Sequence, residues 1–195
     1  MRYSMNTKRG LDSQTIFNAA AELAEEKGLE NVSLLQVAEK LGVRSPSLYN
    51  HLSGLQELSS GIAEIAISRL EDAVRNAAVG RSKEDALTAI AGAYRKFAKE
   101  NPELYKAILR FPTYNDSGVK EAGHALVRIL YQVMKPYHYS KEETIDFVRG
   151  FRSALHGFVS LEEAGFFQSA DANVNKSYER LVSRLISTLD TKGEI

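Results

Sequence analysis

The side chains of this chain that could act on a partner gather in one stretch, Ser33 to Leu52, SLLQVAEKLGVRSPSLYNHL. Its second half presents Arg44, Ser45, Ser47, Tyr49, Asn50 and His51, which supply donors, acceptors and aromatic character with no acid among them. Such residues hydrogen-bond base edges and hold phosphates; they do not make or break bonds. Nothing else in the sequence offers bond chemistry. There is no cysteine, and the histidines (His51, His124, His138, His156) include no i, i+4 pair for a metal. Neither a nucleophile–base pair nor a glycine-rich phosphate loop is present. No metal, no cofactor and no enzymatic activity are therefore expected.

Two short helices joined by a tight turn must position that set. Ser33 with Gln36 reads as a capping box, each side chain satisfying an orphan backbone N–H. Leu34, Val37, Ala38 and Leu41 then share one helical face. Gly42 stands where the chain must leave the helix, a left-handed position that glycine takes at least cost. Ser45 reads as the next N-cap and Pro46 as the first helical residue. A cap, a stop and a new cap in so short a span force the helices to cross steeply, as in a helix-turn-helix. Ala38 is small at the crossing, and Leu48 plugs the second helix into the core. An ordinary helix pair of a bundle has the same outline, so the surrounding sequence must decide.

At 195 residues the chain has room for one domain or two small ones, and for a real core either way. It is 44% hydrophobic and 26% charged, as a soluble globular protein is. No apolar run approaches the roughly 20 residues of a membrane span. The start, MRYSMNTKRG, lacks a signal peptide's apolar segment, so a cytoplasmic location is expected. A formal net charge of zero counts against an indiscriminate grip on nucleic acid. The local pattern softens this. Residues 1–11 hold Arg2, Lys8 and Arg9 without an acid, and residues 40–56 hold Lys40, Arg44 and His51 without an acid.

Helical periodicity runs through the rest, with no strand alternation and no repeat, so the predicted fold is all-α. The first helix spans Asp12 to Lys27. After the helix-turn-helix, Ser53 with Gln56 caps a long helix reaching towards Gly80. Ser82 opens the next, and Asn101-Pro102 breaks it into a short one from Glu103 to Phe111. Pro112 to Gly118 reads as a loop, followed by helices at Val119–Tyr137, from Ser140 to about Phe167, and at Asn173–Leu189.

On these residues the chain resembles the TetR family of bacterial transcriptional regulators. The AAAELAEEKG end of the first helix, the capped helix with VAEKLGV, and the SxxSLYNHL that follows all resemble that family's DNA-binding domain. The resemblance implies residues 1–58 as the helix-turn-helix DNA-binding domain and residues 59–195 as a helical ligand-binding and dimerisation domain. It implies a homodimer on a palindromic double-stranded operator, released by a small ligand, with no membrane partner. It assigns Ser33 to a phosphate, Arg44, Ser45 and Ser47 to bases or nearby backbone, and Tyr49 and His51 to phosphates. Lys8 and Arg9 would reach the backbone or an adjacent minor groove. One departure is Leu55, where many members carry a phosphate-holding lysine; the backbone N–H groups from Gly54 to Glu57 are then the remaining anchor. The segment FRSALHGFVSLEEAGFF is similar to a subgroup marked by Trp-His-Gly, although here the triplet is Leu155-His156-Gly157.

The same segment has its own physical reading. Ile145, Val148, Leu155 and Val159 form one apolar stripe, and Phe147, Phe151, Ala154, Phe158 and Leu161 another. With the small residues Gly150, Ala154 and Gly157 between, a helix apolar nearly all round calls for burial on both sides, the second side against a partner subunit. The last helix offers Val174, Tyr178, Leu181, Val182, Leu185, Ile186 and Leu189 as the matching stripe. A monomer with a thick core is the alternative. Tyr94, Phe97, Tyr105, Phe111, Tyr131, Phe151 and His156, with Tyr114 and Phe147, are candidates to line a ligand cavity between helices, each of which could equally be simple core. Two function classes follow: a ligand-released repressor, or a helical small-molecule-binding or interaction protein (or enzyme) without DNA binding.

Overall fold

The computed structural model describes residues 11–110, 117–168 and 172–189, and the regular elements among them are all helical. Helix α1 (Ser13–Lys27) opens on Asp12, whose carboxylate accepts the Thr15 N–H at 2.7 Å, and closes on Gly28. A 3₁₀ turn at Leu29–Asn31 leads to α2 (Leu34–Leu41), α3 (Ser45–Leu48) and the long α4 (Leu55–Ala78). Helices α5 (Lys83–Glu100) and α6 (Pro102–Leu109) meet at Asn101, with Pro102 in the first turn, where a missing N–H costs nothing. Helices α7 (Ser117–Met134), α8 (Lys141–Glu163) and α9 (Val174–Ile186) complete the chain.

Predicted boundaries move at several helices. The seventh helix yields to a 3₁₀ turn at Lys135–Tyr137, because Pro136 lacks the N–H that would continue the α ladder. The eighth stops at Glu163, short of Phe167: Gly165 turns left-handed at φ 77°, and the Phe166 N–H bonds back to the Leu161 carbonyl at 3.0 Å. At α4 the N-cap is Gly54, and Ser53 bonds Glu57 rather than Gln56; its N–H and its hydroxyl both donate to Glu57 Oε2 at 2.7 Å.

Helix α4 forms the centre, burying Leu58, Ile62, Ile65, Ala66, Leu70 and Val74 against α1, α5, α6 and α7. It crosses α1 so closely that a Cβ on Gly61 would lie 2.2 Å from the Phe17 ring. Residue 58, where the sequence suggests a division, falls inside this continuous helix.

Helix α8 is less apolar than expected. It buries Val148, Phe151, Leu155 and Val159, but Arg149, Arg152, Ser153 and His156 run beside them as a polar strip. The opposite side leaves Gly150 exposed and Leu161 45% exposed, and a Cβ on Gly150 or Gly157 would meet nothing within 4 Å. Helix α9 spends most of its stripe on its own chain: Tyr178, Val182, Ile186 and Leu189 are buried, and the Tyr178 hydroxyl donates to the Ala91 carbonyl at 2.8 Å. Val174, Leu181 and Leu185 of that stripe stay half-buried. The Arg95 guanidinium ties α5 to both helices, donating to Glu162 (2.7 and 2.6 Å) and Asn175 (2.9 Å) over the Phe158 and Tyr178 rings. Among the described residues no helix is long and apolar enough to cross a membrane.

Candidate nucleic-acid interface and ligand cavity

The helix-turn-helix is built as its residues demand. The Ser33 hydroxyl accepts the Gln36 N–H at 3.3 Å, while the Ser33 N–H and hydroxyl donate to Gln36 Oε1 at 3.0 and 3.1 Å. The cap is closed, so Ser33 would have to turn its hydroxyl hydrogen away from Gln36 to hold a phosphate. Gly42 takes φ 67°, and the Val43 N–H returns to the Ala38 carbonyl at 3.0 Å. Helix α3 starts one residue earlier than predicted, with Arg44 rather than Ser45 at the N-cap and no side chain capping it. Its regular part is a single turn, extended by the His51 N–H bonding the Leu48 carbonyl at 2.9 Å. Leu48, wholly buried, and Leu52, nearly so, pin it to the core.

That anchoring turns Pro46, Tyr49 and Asn50 outward, with Arg44 exposed at the edge; Ser45, Ser47 and His51 are half-buried. Three large apolar side chains of this region stand in solvent: Leu35 (60% exposed), Tyr49 (58%) and Leu55 (54%). Leu35 is not among the residues that the sequence singles out, although its place opposite Val37 and Ala38 on α2 is legible in the helical period. Lys40 is not a free cation, because Glu22 (3.2 Å) and Glu26 (2.7 Å) of α1 hold it and raise its pKa. Arg44 has no ion pair among the described residues. Lys8 and Arg9 lie outside the described residues.

The second candidate site is an open cavity of about 420 Å³ lined by α4, α5, α6, α7 and α8. Ile67, Leu126, Val127, Ile108 and Leu109 give it apolar walls; Tyr94, His124, Arg149, Arg152, Ser153 and His156 add polar groups. Two aromatics chosen from the sequence line it, Tyr94 and His156. Tyr105 stands behind them, its hydroxyl 2.7 Å from His156 Nδ1 and 3.2 Å from the Tyr94 hydroxyl. Burial first, then the charge of Arg152, holds the His156 imidazole below its ordinary value, so it is neutral near pH 7. A neutral ring either accepts at Nδ1 from Tyr105, which then accepts from Tyr94, or donates from Nδ1–H to Tyr105, which then donates to Tyr94. Burial likewise pushes the Tyr94 and Tyr105 hydroxyls up, so both keep their protons.

The other aromatic candidates are not brought to this cavity. Phe97 and Phe151 are core residues, Phe151 stacked on Phe147 at 5.6 Å, and Tyr131 lines a separate depression with Lys141, Thr144 and Ile145. Phe111 and Tyr114 lie outside the described residues. The residues that sequence reasoning missed are His124, Arg149 and Arg152. Two of them had a signal: Arg149, Arg152 and His156 fall at i, i+3 and i+7 on α8.

One helix joins the cavity to α1 and the turn that leads into the helix-turn-helix. Near the start of α6 the Leu104 N–H donates to Glu25 Oε1 of α1 at 2.7 Å, and Glu103 Oε2 accepts the Leu29 N–H at 2.8 Å. Just past its end Arg110 pairs with Glu30. Between these ties, Ile108 and Leu109 form cavity wall.

Known proteins carry the same two parts. Residues 16–58 match the family described as bacterial regulatory proteins, tetR family, and residues 87–185 match the tetracyclin repressor-like C-terminal domain. The chain belongs to the TetR family of transcriptional regulators. It is thus a DNA-binding regulator and not an enzyme. Among TetR relatives, YobS of Bacillus subtilis, named an uncharacterized HTH-type transcriptional regulator, is 35% identical over 158 residues, covering 80% of this chain and 82% of that one. Two solved structures share the fold. A protein of unknown function from Rhodococcus sp. RHA1 gives a TM-score of 0.78 at 23% identity, covering 95% of this chain and 99% of that one. A single-substitution variant of TetR from Acinetobacter baumannii AYE, solved in complex with minocycline, gives 0.66 at 18% identity, covering 92% and 96%.

Proposed function

We propose that this TetR regulator is a cytoplasmic homodimeric repressor that holds a palindromic operator through two copies of α3 and lets go when a small ligand fills the α4–α8 cavity. The observation that carries this reading is α6, which is hydrogen-bonded to α1 near one end and forms cavity wall near the other. A ligand pressing on Ile108 and Leu109 moves α6, and Glu25 and Glu103 pass the movement to α1 and the helix-turn-helix. The two α3 helices must sit about 34–36 Å apart, or a multiple of it, to dock together, so a small tilt in each subunit costs much affinity. The minocycline complex of the Acinetobacter structure supports a drug-sized occupant in a fold of this kind.

In this reading residues 1–58 bind DNA and residues 59–195 bind ligand and partner. Arg44, Ser45 and Ser47 face bases or nearby backbone; Ser33, Tyr49 and His51 take phosphates; Lys8 and Arg9 extend the contact. The outward side of α8, with Gly150, Gly157 and Leu161, meets its copy. The test is a gel shift with the DNA upstream of the gene. Wild type gives a salt-dependent, sequence-specific shift. Arg44→Ala weakens it by about 1–3 kcal/mol, and Tyr49→Ala, which removes an uncharged phosphate donor, weakens it while leaving the salt slope as in wild type. Unchanged affinity in both variants would show that α3 does not dock as assigned.

A further inference from the structure

The cavity has one chemical sign. Its floor and walls are apolar, yet Arg149, Arg152 and His156 of α8 and His124 of α7 bring only cations or groups able to become cations, and among the described residues no Asp or Glu lines it. The two arginines lie at i, i+3, where like charges on a helix repel. Arg75, Arg95 and Arg128 each have a carboxylate partner, whereas Arg149 and Arg152 have no ion pair among the described residues. Both are exposed, while Ile67 and Leu126 are buried at the other side of the space. An apolar interior under a cationic rim draws in anions and leaves a guanidinium fork free to bind one bidentately.

We propose, resting on the assignment of this cavity as the ligand site, that the ligand is a carboxylic acid, ionised at neutral pH, with an apolar body. Its tail lies against Ile67, Leu126 and Val127, its carboxylate takes N–H donors from Arg149 and Arg152, and Ser153 is in reach of the same head group. The 420 Å³ space accommodates a medium-chain or aryl-alkyl acid.

Calorimetric titration of the full chain with octanoate and 4-phenylbutyrate, against octanamide and 4-phenylbutyramide, tests this. The acids should bind at least about tenfold more tightly than their amides, as expected for hydrogen bonds to a charged acceptor. In Arg149→Gln/Arg152→Gln that preference should vanish, while the operator gel shift in the absence of acid stays as in wild type. Equal binding of acid and amide would overturn the anionic class and leave the cavity as ligand site. A preference surviving in the double variant would overturn the arginines' role. Binding of none of the four compounds would overturn both the class and the cavity assignment.

Discussion

At the level of single residues, burial separates side chains that hold the fold from those that are free to meet a partner. Leu48 and Tyr49 are sequence neighbours, yet one is wholly buried and the other 58% exposed. Leu48→Ala should therefore cost about 2–5 kcal/mol of stability, whereas Tyr49→Ala should leave stability within about 0.5 kcal/mol of wild type and, in the proposed docking, weaken operator binding. His156 carries a pH signature. Its folded-state pKa is lowered, chiefly by burial, so above its unfolded value near 6.5 both states are neutral and no stability is at stake. As pH falls below that value the unfolded chain takes up the proton first, and the folded state loses stability. Arg152 and His124 face the ring from α8 and α7, and Tyr94 and Tyr105 from α5 and α6. His156→Gln keeps an acceptor for the Tyr105 hydroxyl but cannot titrate. Thermal melts between about pH 5 and 7 should fall with pH more steeply in wild type than in the variant. Parallel slopes would mean that His156 does not contribute.

At the level of elements, the α1–α4 crossing is set by one missing side chain. The half-buried Phe17 ring fills the place where a Cβ on Gly61 would stand, so it must turn away or the helices must part. Gly61→Ala should lower stability by about 1–3 kcal/mol, the usual cost of overpacking, and weaken operator binding because α1 shifts with its helix-turn-helix. Denaturant titration and gel shift on the same variant read both. What was legible beforehand follows from how far each signal reaches along the chain. Asp12, Ser33, Ser140 and Asn173 announce helix starts that the structure keeps, because a cap is satisfied within three residues. Ser53 bonds Glu57 over Gln56, and α8 stops before Gly165, because in each case more than one local bond was available and geometry decided. The cavity's cationic rim was hidden for a different reason. Reading α8 by its apolar residues alone passes over the strip of Arg149, Arg152 and His156, whose meaning appears only when α7 closes over it.

At the level of the whole molecule, neutrality overall coexists with a polar, acid-free α3, because Lys40 is absorbed by Glu22 and Glu26 and many of the remaining charges pair elsewhere. A single short helix of this kind offers little contact area, which two copies double. In the proposed dimer the outward side of α8 receives the second copy, a reading supported by the open space at Gly150 and Gly157 and the exposure of Leu161. Light scattering should give about twice the 21.6 kDa of the chain, and Gly157→Arg should return it to one chain while far-ultraviolet circular dichroism stays helical. A dimer that survives Gly157→Arg would place the interface elsewhere.

In the proposed mechanism, occupancy of the cavity sets operator affinity through α6. It can be tested without knowing the ligand, by filling the cavity with a side chain. Val127 lines it and is only half-buried, so Val127→Trp places an indole in the space at modest cost to the core. Fluorescence anisotropy on the mapped operator should show the variant binding about 5–150-fold more weakly than wild type, the range of a typical coupling energy, with helix content and dimer mass unchanged. Wild-type operator affinity in a folded, dimeric Val127→Trp protein would mean that filling the cavity does not control DNA binding.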